Sequence, residues 1–248
     1  MSSSFKQLHR SLFILPNAWN PKSAVHFQQE NFPAVATSSA AVANSLGYED
    51  GEAMPFEEYL LIVRRILATV QIPVTVDIEM GYGKTNEAIL ANLQQLADLG
   101  VAGINIEDSI IQSGNRKLHN ANAFAETIAF LKNKVNLFIN VRSDTYLLNV
   151  ANKQAETLTR IQLYESAGAD GIFLPCISAE ADIADAVNST PLPINVMCIP
   201  GLPNFETLGT LGVKRVSMGP FLFNKLYDSI APLTQAITTN HNFSSLFA

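Results

Sequence analysis

Hydrophobic and polar positions alternate along this 248-residue chain in two distinct rhythms. Short apolar runs start near positions 12 (LFILP), 33 (PAVATSS), 73 (PVTVDIE), 102 (AGINIED), 137 (LFINVRSD), 171 (GIFLPC), 193 (PINVMC) and 215 (RVSMG). Each has the length and the composition of a buried strand. Between them lie segments such as TNEAILANLQQLADLG, NAFAETIAFLKN and ETLTRIQLYESAG, whose apolar residues return at three- and four-residue spacing, the period of a helix packed on one face. Several of these end in glycine, as helices often do. Repeated strand–helix alternation joins parallel strands by right-handed crossovers, and eight such units in a chain of this length predict an α/β fold, the (β/α)8 or TIM barrel. A doubly wound open sheet is the alternative, and it does not need eight units. VANSLGYEDGEAMPF reads as a long loop after the second strand. No linker or change of composition interrupts the pattern, so residues 1–248 are expected to form a single barrel domain.

Alternation within the strands separates two faces. Thr75, Asp77 and Glu79 share one side of their segment, while Val74, Val76 and Ile78 share the other. The apolar set suits packing under the helices. The acidic set then points to the barrel axis at the strand's C-terminal end, where barrel enzymes place their chemistry. The same parity turns Asn105 and Glu107 inward, and likewise Asn140, Arg142 and Asp144. Gathering the carboxylates of Asp77, Glu79 and Glu107 in one mouth is costly without a neutralising cation. An all-oxygen set with no histidine or thiol favours Mg2+ or Mn2+ over zinc. Arg142 either forks onto a substrate carboxylate or pairs with Asp144 on its own face. Asp108 is turned away from the axis and reads as a solvated residue or a helix cap.

Composition narrows the partners. The net charge is −6, and no basic cluster exceeds the pairs Arg64-Arg65 and Arg116-Lys117, which argues against nucleic-acid and anionic-membrane partners and for small solutes. No apolar run approaches the roughly 18 residues of a membrane span. Cys176 and Cys198 are too few for a disulfide framework and read as small buried residues, so a cytoplasmic location is expected. His9, His26, His119 and His241 have no metal-ligand spacing, and only His119 stays open as a site residue. Gly81 and Gly83 suit a tight turn.

VDIEMGYG, INIED and NVRSD, flanked in order by LPNAWNPKSA, SSAAVANSLGYED and GADGIFLP, resemble the segments of the isocitrate lyase and phosphoenolpyruvate mutase superfamily over nearly the whole chain. The resemblance implies a Mg2+-dependent (β/α)8 barrel that makes or breaks C–C or P–C bonds in α-keto or α-hydroxy carboxylates, as a homodimer or homotetramer. It implies metal-site roles for Asp77, Glu79 and Glu107, with Glu79 standing where an aspartate is commoner. Arg142 matches the substrate-binding arginine, and Asp50 an aspartate close to the reacting group; these two form the expected catalytic pair. Ser38, Ser39 and Ala40 match the segment that holds the substrate carboxylate, Trp19 matches an aromatic at the site wall, and Asn195 joins the substrate-binding set. The loop SIIQSGNRKLHNAN lacks the cysteine that isocitrate and methylisocitrate lyases carry in a Lys-Arg-Cys-Gly-His motif, so that activity itself is not expected. Asn115 and Lys117 are its candidates for a mutase-type pair. Cys176 stands where many lyases have a glutamate. The expectation is a lyase or mutase working through a metal-stabilised enolate, with a degenerate, non-catalytic carboxylate binder as the alternative. Residues 109–122 are expected to form a mobile lid, against the alternative of a plain surface turn.

Overall fold

The structure is a computed structural model and describes residues 2–247. In chain order, α1 (Ser2–Leu8) precedes β1 (Phe13–Leu15) and β2 (Asn17–Ala18), followed by α2 (Pro21–Gln29), β3 (Val35–Thr37), α3 (Ser39–Ser45) and α4 (Phe56–Leu67). Next come β4 (Val74–Asp77), α5 (Asn86–Asp98), β5 (Gly103–Glu107), β6 (Ser109–Gln112), β7 (Asn115–Leu118), α6 (Ala121–Lys132), β8 (Phe138–Arg142) and α7 (Lys153–Ser166). The chain continues through β9 (Gly171–Leu174), α8 (Glu180–Asn188), β10 (Ile194–Met197), α9 (Phe205–Leu211), β11 (Arg215–Ser217), α10 (Phe221–Asp228) and α11 (Ile230–Asn240).

All eight sequence segments form parallel strands in the order β1-β11-β10-β9-β8-β5-β4-β3-β2. The first segment is split at Pro16, which has no amide hydrogen to give to a ladder. Its first half pairs with β11 and its second with β3, so the two ends of the sheet meet in one stretch of chain and the barrel closes. Helix starts follow local chemistry: Asn20 and Ser23 form a capping box with Pro21 opening α2, and Thr85, Asn120 and Asn204 cap α5, α6 and α9 with their side chains.

The outward faces of the strands, Val74, Val76, Ile104, Ile106, Ile139, Val141, Ile172 and Val196, are buried in one core with Leu93, Leu96, Ile128, Leu131 and Ile161 of the helices. Each such side chain contributes roughly 1.5–3 kcal/mol by leaving water. Along the axis lies a polar layer. Asn105 Oδ1 accepts hydrogen bonds from Asn140 Nδ2 and from the guanidinium of Arg215, both at 2.8 Å. Burial works against the charge of Arg215, whose pKa falls to about 9, and the Asp77 carboxylate supports it. The far end of the barrel is plugged by Phe5, Phe138 and His9, the last stacked on Phe138 with centroids 4.5 Å apart. Burial, and then Arg215, push the His9 pKa down to about 3, so its ring is neutral.

Two loops differ from their sequence reading. The segment after the second strand starts as helix α3, because Ser38 caps a short run whose alanines, Ala40, Ala41 and Ala43, favour the helix. Residues 109–118 are an antiparallel hairpin, β6 against β7, turning at Ser113 and Gly114, whose φ values of 51° and 74° are both positive, as a tight two-residue hairpin turn requires. Among the described residues, no helix is long and apolar enough to cross a membrane.

Candidate active site

The C-terminal ends of β4, β5 and β8, with the start of α3, surround a cavity of about 180 Å³. Its wall includes Ser38, Ser39, Ala40, Asp50, Asp77, Arg116 and Arg142. Asp77 ends β4. Its backbone is fixed at both atoms, the amide donating to Thr37 Oγ1 at 3.1 Å and the carbonyl accepting from Tyr59 Oη at 2.8 Å. Ser39 Oγ donates to Asp77 Oδ2 at 3.1 Å, while Asp77 Oδ1 is buried with no hydrogen-bond partner. Burial raises the Asp77 pKa; Arg142 lowers it and Asp50 raises it further. Ser38 caps α3 through Ala41, so the amides of Ser39 and Ala40 open that helix without an intrahelical acceptor.

Arg142 ends β8 and forks onto Asp144, with Nε to Oδ1 at 2.6 Å and Nη2 to Oδ2 at 3.2 Å. Its Nη1 stands 2.9 Å from Glu107 Oε2. The pairing with Asp144 and the position on the cavity wall therefore coexist. Burial opposes the arginine's charge, but Asp144 and Asp77 outweigh it and its pKa is raised.

The three carboxylates read as a metal set do not converge: among the described residues, no group of three His, Cys, Asp or Glu side chains could hold a metal ion together. The strand alternation stops at Asp77, because Glu79 takes a left-handed backbone with φ 51°. Its carboxylate turns to the backbone amide of Glu52 at 2.7 Å and the hydroxyl of Tyr82 at 2.9 Å. Burial first, then Asp50 and Asp77, raise the Glu79 pKa to about 7. Glu107 is buried and accepts hydrogen bonds at Oε1 from Ser109 Oγ at 2.9 Å and from Arg116, while its Oε2 has no hydrogen bond and only pairs by charge with Arg142. The arrangement fits a single-point metal anchor. A hard cation that keeps most of its water needs one or two carboxylates; two buried carboxylate oxygens here lack a hydrogen bond, and Asp77 Oδ1 is open for it whereas Glu107 Oε2 faces Arg142.

Arg116 is the residue that sequence reasoning missed. Carried by β7, it contacts Glu107, donates to Ser109 Oγ at 3.0 Å, and stands 3.2 Å from Asp50 Oδ2 and 3.8 Å from Asp144 Oδ2. Its neighbours Asn115 and Lys117 point to solvent, as alternation in a strand dictates. The serine–glycine turn flanked by alternating residues was the signal for this hairpin.

Other expected residues lie elsewhere. Trp19 packs edge-on against Phe223 and faces a groove beside α10, away from the cavity. Asn195 sits in the polar layer, its amide donating to Val196 O, Arg215 O and Ser217 Oγ, which leaves it no donor for a substrate. Asp108 is neither solvated nor a cap. It is fully buried and accepts from Ser143 Oγ and the Asp144 amide, which follow β8, and from Arg160 and Tyr164 Oη, which helix α7 brings to the outer face of β5. Cys176 and Cys198 are half-buried free thiols, and burial raises both of their pKa values. His119 bonds Asn120 through its ring and lies outside the cavity.

The fold and site together are a (β/α)8 barrel whose mouth combines an open carboxylate oxygen with two arginines. The chain belongs to the phosphoenolpyruvate phosphomutase family, whose profile matches residues 5–238. It is 38% identical to an uncharacterized protein of Mycobacterium tuberculosis, over 87% of this chain and 81% of that one. It is 25% identical to a 2-methylisocitrate lyase of Aeropyrum pernix, over 75% of this chain and 61% of the lyase. The crystal structure of a candidate phosphonomutase from Burkholderia cenocepacia J2315 superposes with a TM-score of 0.87 at 33% identity, covering 94% of this chain and 98% of that one. Members of this superfamily are lyases and mutases, as the resemblance in the sequence implied.

Proposed function

We propose that this protein is a Mg2+- or Mn2+-dependent lyase or mutase that cleaves or rearranges a C–C or P–C bond in a small α-keto or α-hydroxy carboxylate. The observation that carries this reading is the open Asp77 Oδ1 on the same cavity wall as the Arg142 guanidinium. Asp77 would hold the ion directly, with Glu107, Glu79 and Asp50 acting through its water. When bound, the ion supplies positive charge where negative charge develops on the substrate's keto oxygen. Arg142, locked in one orientation by Asp144, offers the carboxylate a fixed charge, and the opening amides of α3 offer neutral donors beside it. Asp50 is half exposed at the mouth, suited to the reacting end of the substrate.

The second reading, a non-catalytic carboxylate binder, draws on the hairpin, which offers the cavity an arginine and no cysteine. Steady-state assays with Mg2+ and oxaloacetate, methylisocitrate, phosphonopyruvate or dimethylmalate separate the two. Turnover of any of them supports the enzyme, and binding of all without turnover supports the binder. Arg142→Lys should weaken oxalate binding by roughly 1–3 kcal/mol, read by calorimetry, since lysine keeps the charge and loses the fork; unchanged affinity would remove Arg142 from the site.

We read the protein further as a cytoplasmic homo-oligomer, dimer or tetramer. Helix α11 buries none of its residues, and Phe221, Leu226, Ile230 and Phe243 around it are exposed, a surface suited to a second copy of the chain. Light scattering on the purified protein tests the oligomer.

A further inference from the structure

We propose that Arg116 and a divalent cation are alternative occupants of the acidic mouth, so that the hairpin β6–β7 is pinned while the ion is absent and released when it binds. The inference rests on the reading that the cation binds at Asp77.

One guanidinium reaches three carboxylates here. Arg116 contacts Glu107, stands 3.2 Å from Asp50 and 3.8 Å from Asp144, and shares a cavity wall with Asp77. It carries the charge that the acids of the mouth demand, which makes it the counter-ion of the metal-free state. A hydrated cation at Asp77 would draw on the same acids through its water, and the guanidinium and the ion would repel across one small cavity. Each therefore lowers the affinity of the mouth for the other.

The hairpin is built to respond. Its base is fixed: the Asp108 amide donates to Arg142 O, the His119 amide donates to Asp108 O, and Arg160 holds His119 O at 3.0 Å. Its two strands pair only with each other, and its turn at Ser113 and Gly114 is exposed. A lone two-stranded ribbon is marginal in water, so ties to the body decide how closed it stays. Ser109 ties the base of the hairpin to Glu107 and Asp144, Arg116 supplies the polar tie of the second strand, and Ile111 lies against Gly51 as an apolar one.

Coupling of this kind is reciprocal, which gives two independent readouts. In calorimetric titration with Mn2+ alone, Arg116→Gln should bind about tenfold more tightly than the wild type, within the usual span of such couplings. In the wild type, saturating Mg2+ without substrate should speed hydrogen exchange across residues 109–118. Equal or weaker Mn2+ affinity in Arg116→Gln overturns the proposal, and so does exchange in the hairpin that Mg2+ leaves unchanged or slows. If both proteins bind Mn2+ with the same affinity, the metal reading survives and only this inference falls. If neither binds Mn2+, both fall.

Discussion

Asp108 and Glu107 are neighbours in sequence on opposite sides of one strand, and the charge systems they join are built in opposite ways. Around Asp108 every demand is met: four donors serve one carboxylate, and Arg160 in turn reaches Glu156 and a backbone carbonyl. In the mouth the books stay open. One oxygen of Asp77 has no partner, Glu79 is held near neutrality, and two arginines are shared among Asp50, Glu107 and Asp144. A buried charge with all its partners braces the fold, whereas one left short of partners marks a place where something else is meant to bind.

The largest expected effect tests that contrast directly. Asp108→Ala takes from Arg160 its buried counter-charge and leaves Ser143 Oγ, the Asp144 amide and Tyr164 Oη without their acceptor, and it should cost about 3–5 kcal/mol in urea denaturation. Asp77→Asn removes a buried charge that lacks a full complement of partners but helps to balance Arg215 and Arg142, so in the metal-free protein it should cost clearly less than Asp108→Ala. A comparable loss for Asp77→Asn would erase the distinction. The next effect is in pH. Glu79 has its pKa raised from 4.5 to about 7, so between those values the folded protein holds a proton that the unfolded chain has released. Metal-free stability should therefore fall as pH rises through that window and level off above it, by on the order of 2 kcal/mol from this residue. Glu79→Gln should flatten the decline in denaturation series run with chelator; an unchanged slope would assign it to the raised carboxyls of Asp77 and Glu52 instead. The smallest effect is local. Gly114 turns with φ 74° and has open space where a Cβ would go, so Gly114→Ala should meet only backbone strain. It should lower the opening free energy of residues 109–118 by about 1 kcal/mol in hydrogen exchange, with the Asp108 network untouched.

Much of this was written in the chain. The strands were legible because their buried faces use Val and Ile at alternate positions, and the family segments lie in order from LPNAWNPKSA to GADGIFLP. Parity correctly turned Asp108 away from the axis, but it carries no information about what waits there, because Arg160 and Tyr164 are more than 50 residues downstream. Parity also failed at Glu79, where one left-handed residue breaks the alternation that Thr75 and Asp77 obey. Asn195 kept its inward direction, yet its depth along the axis, beneath the cavity, depends on strand stagger that no local pattern states. Arg116 was hidden for a different reason: its alternation belongs to a short ribbon that a barrel template does not contain.

The break at Pro16 has a consequence for how the molecule comes into being. Because β1 must find β11 at the other end of the chain, the ring cannot shut during synthesis until the last strand has left the ribosome. Until then the growing sheet has two bare margins, open to pairing with any other nascent chain. The single step that removes both margins is also the one of greatest sequence separation, so it sets the pace of maturation and the interval in which chaperones have the most to guard.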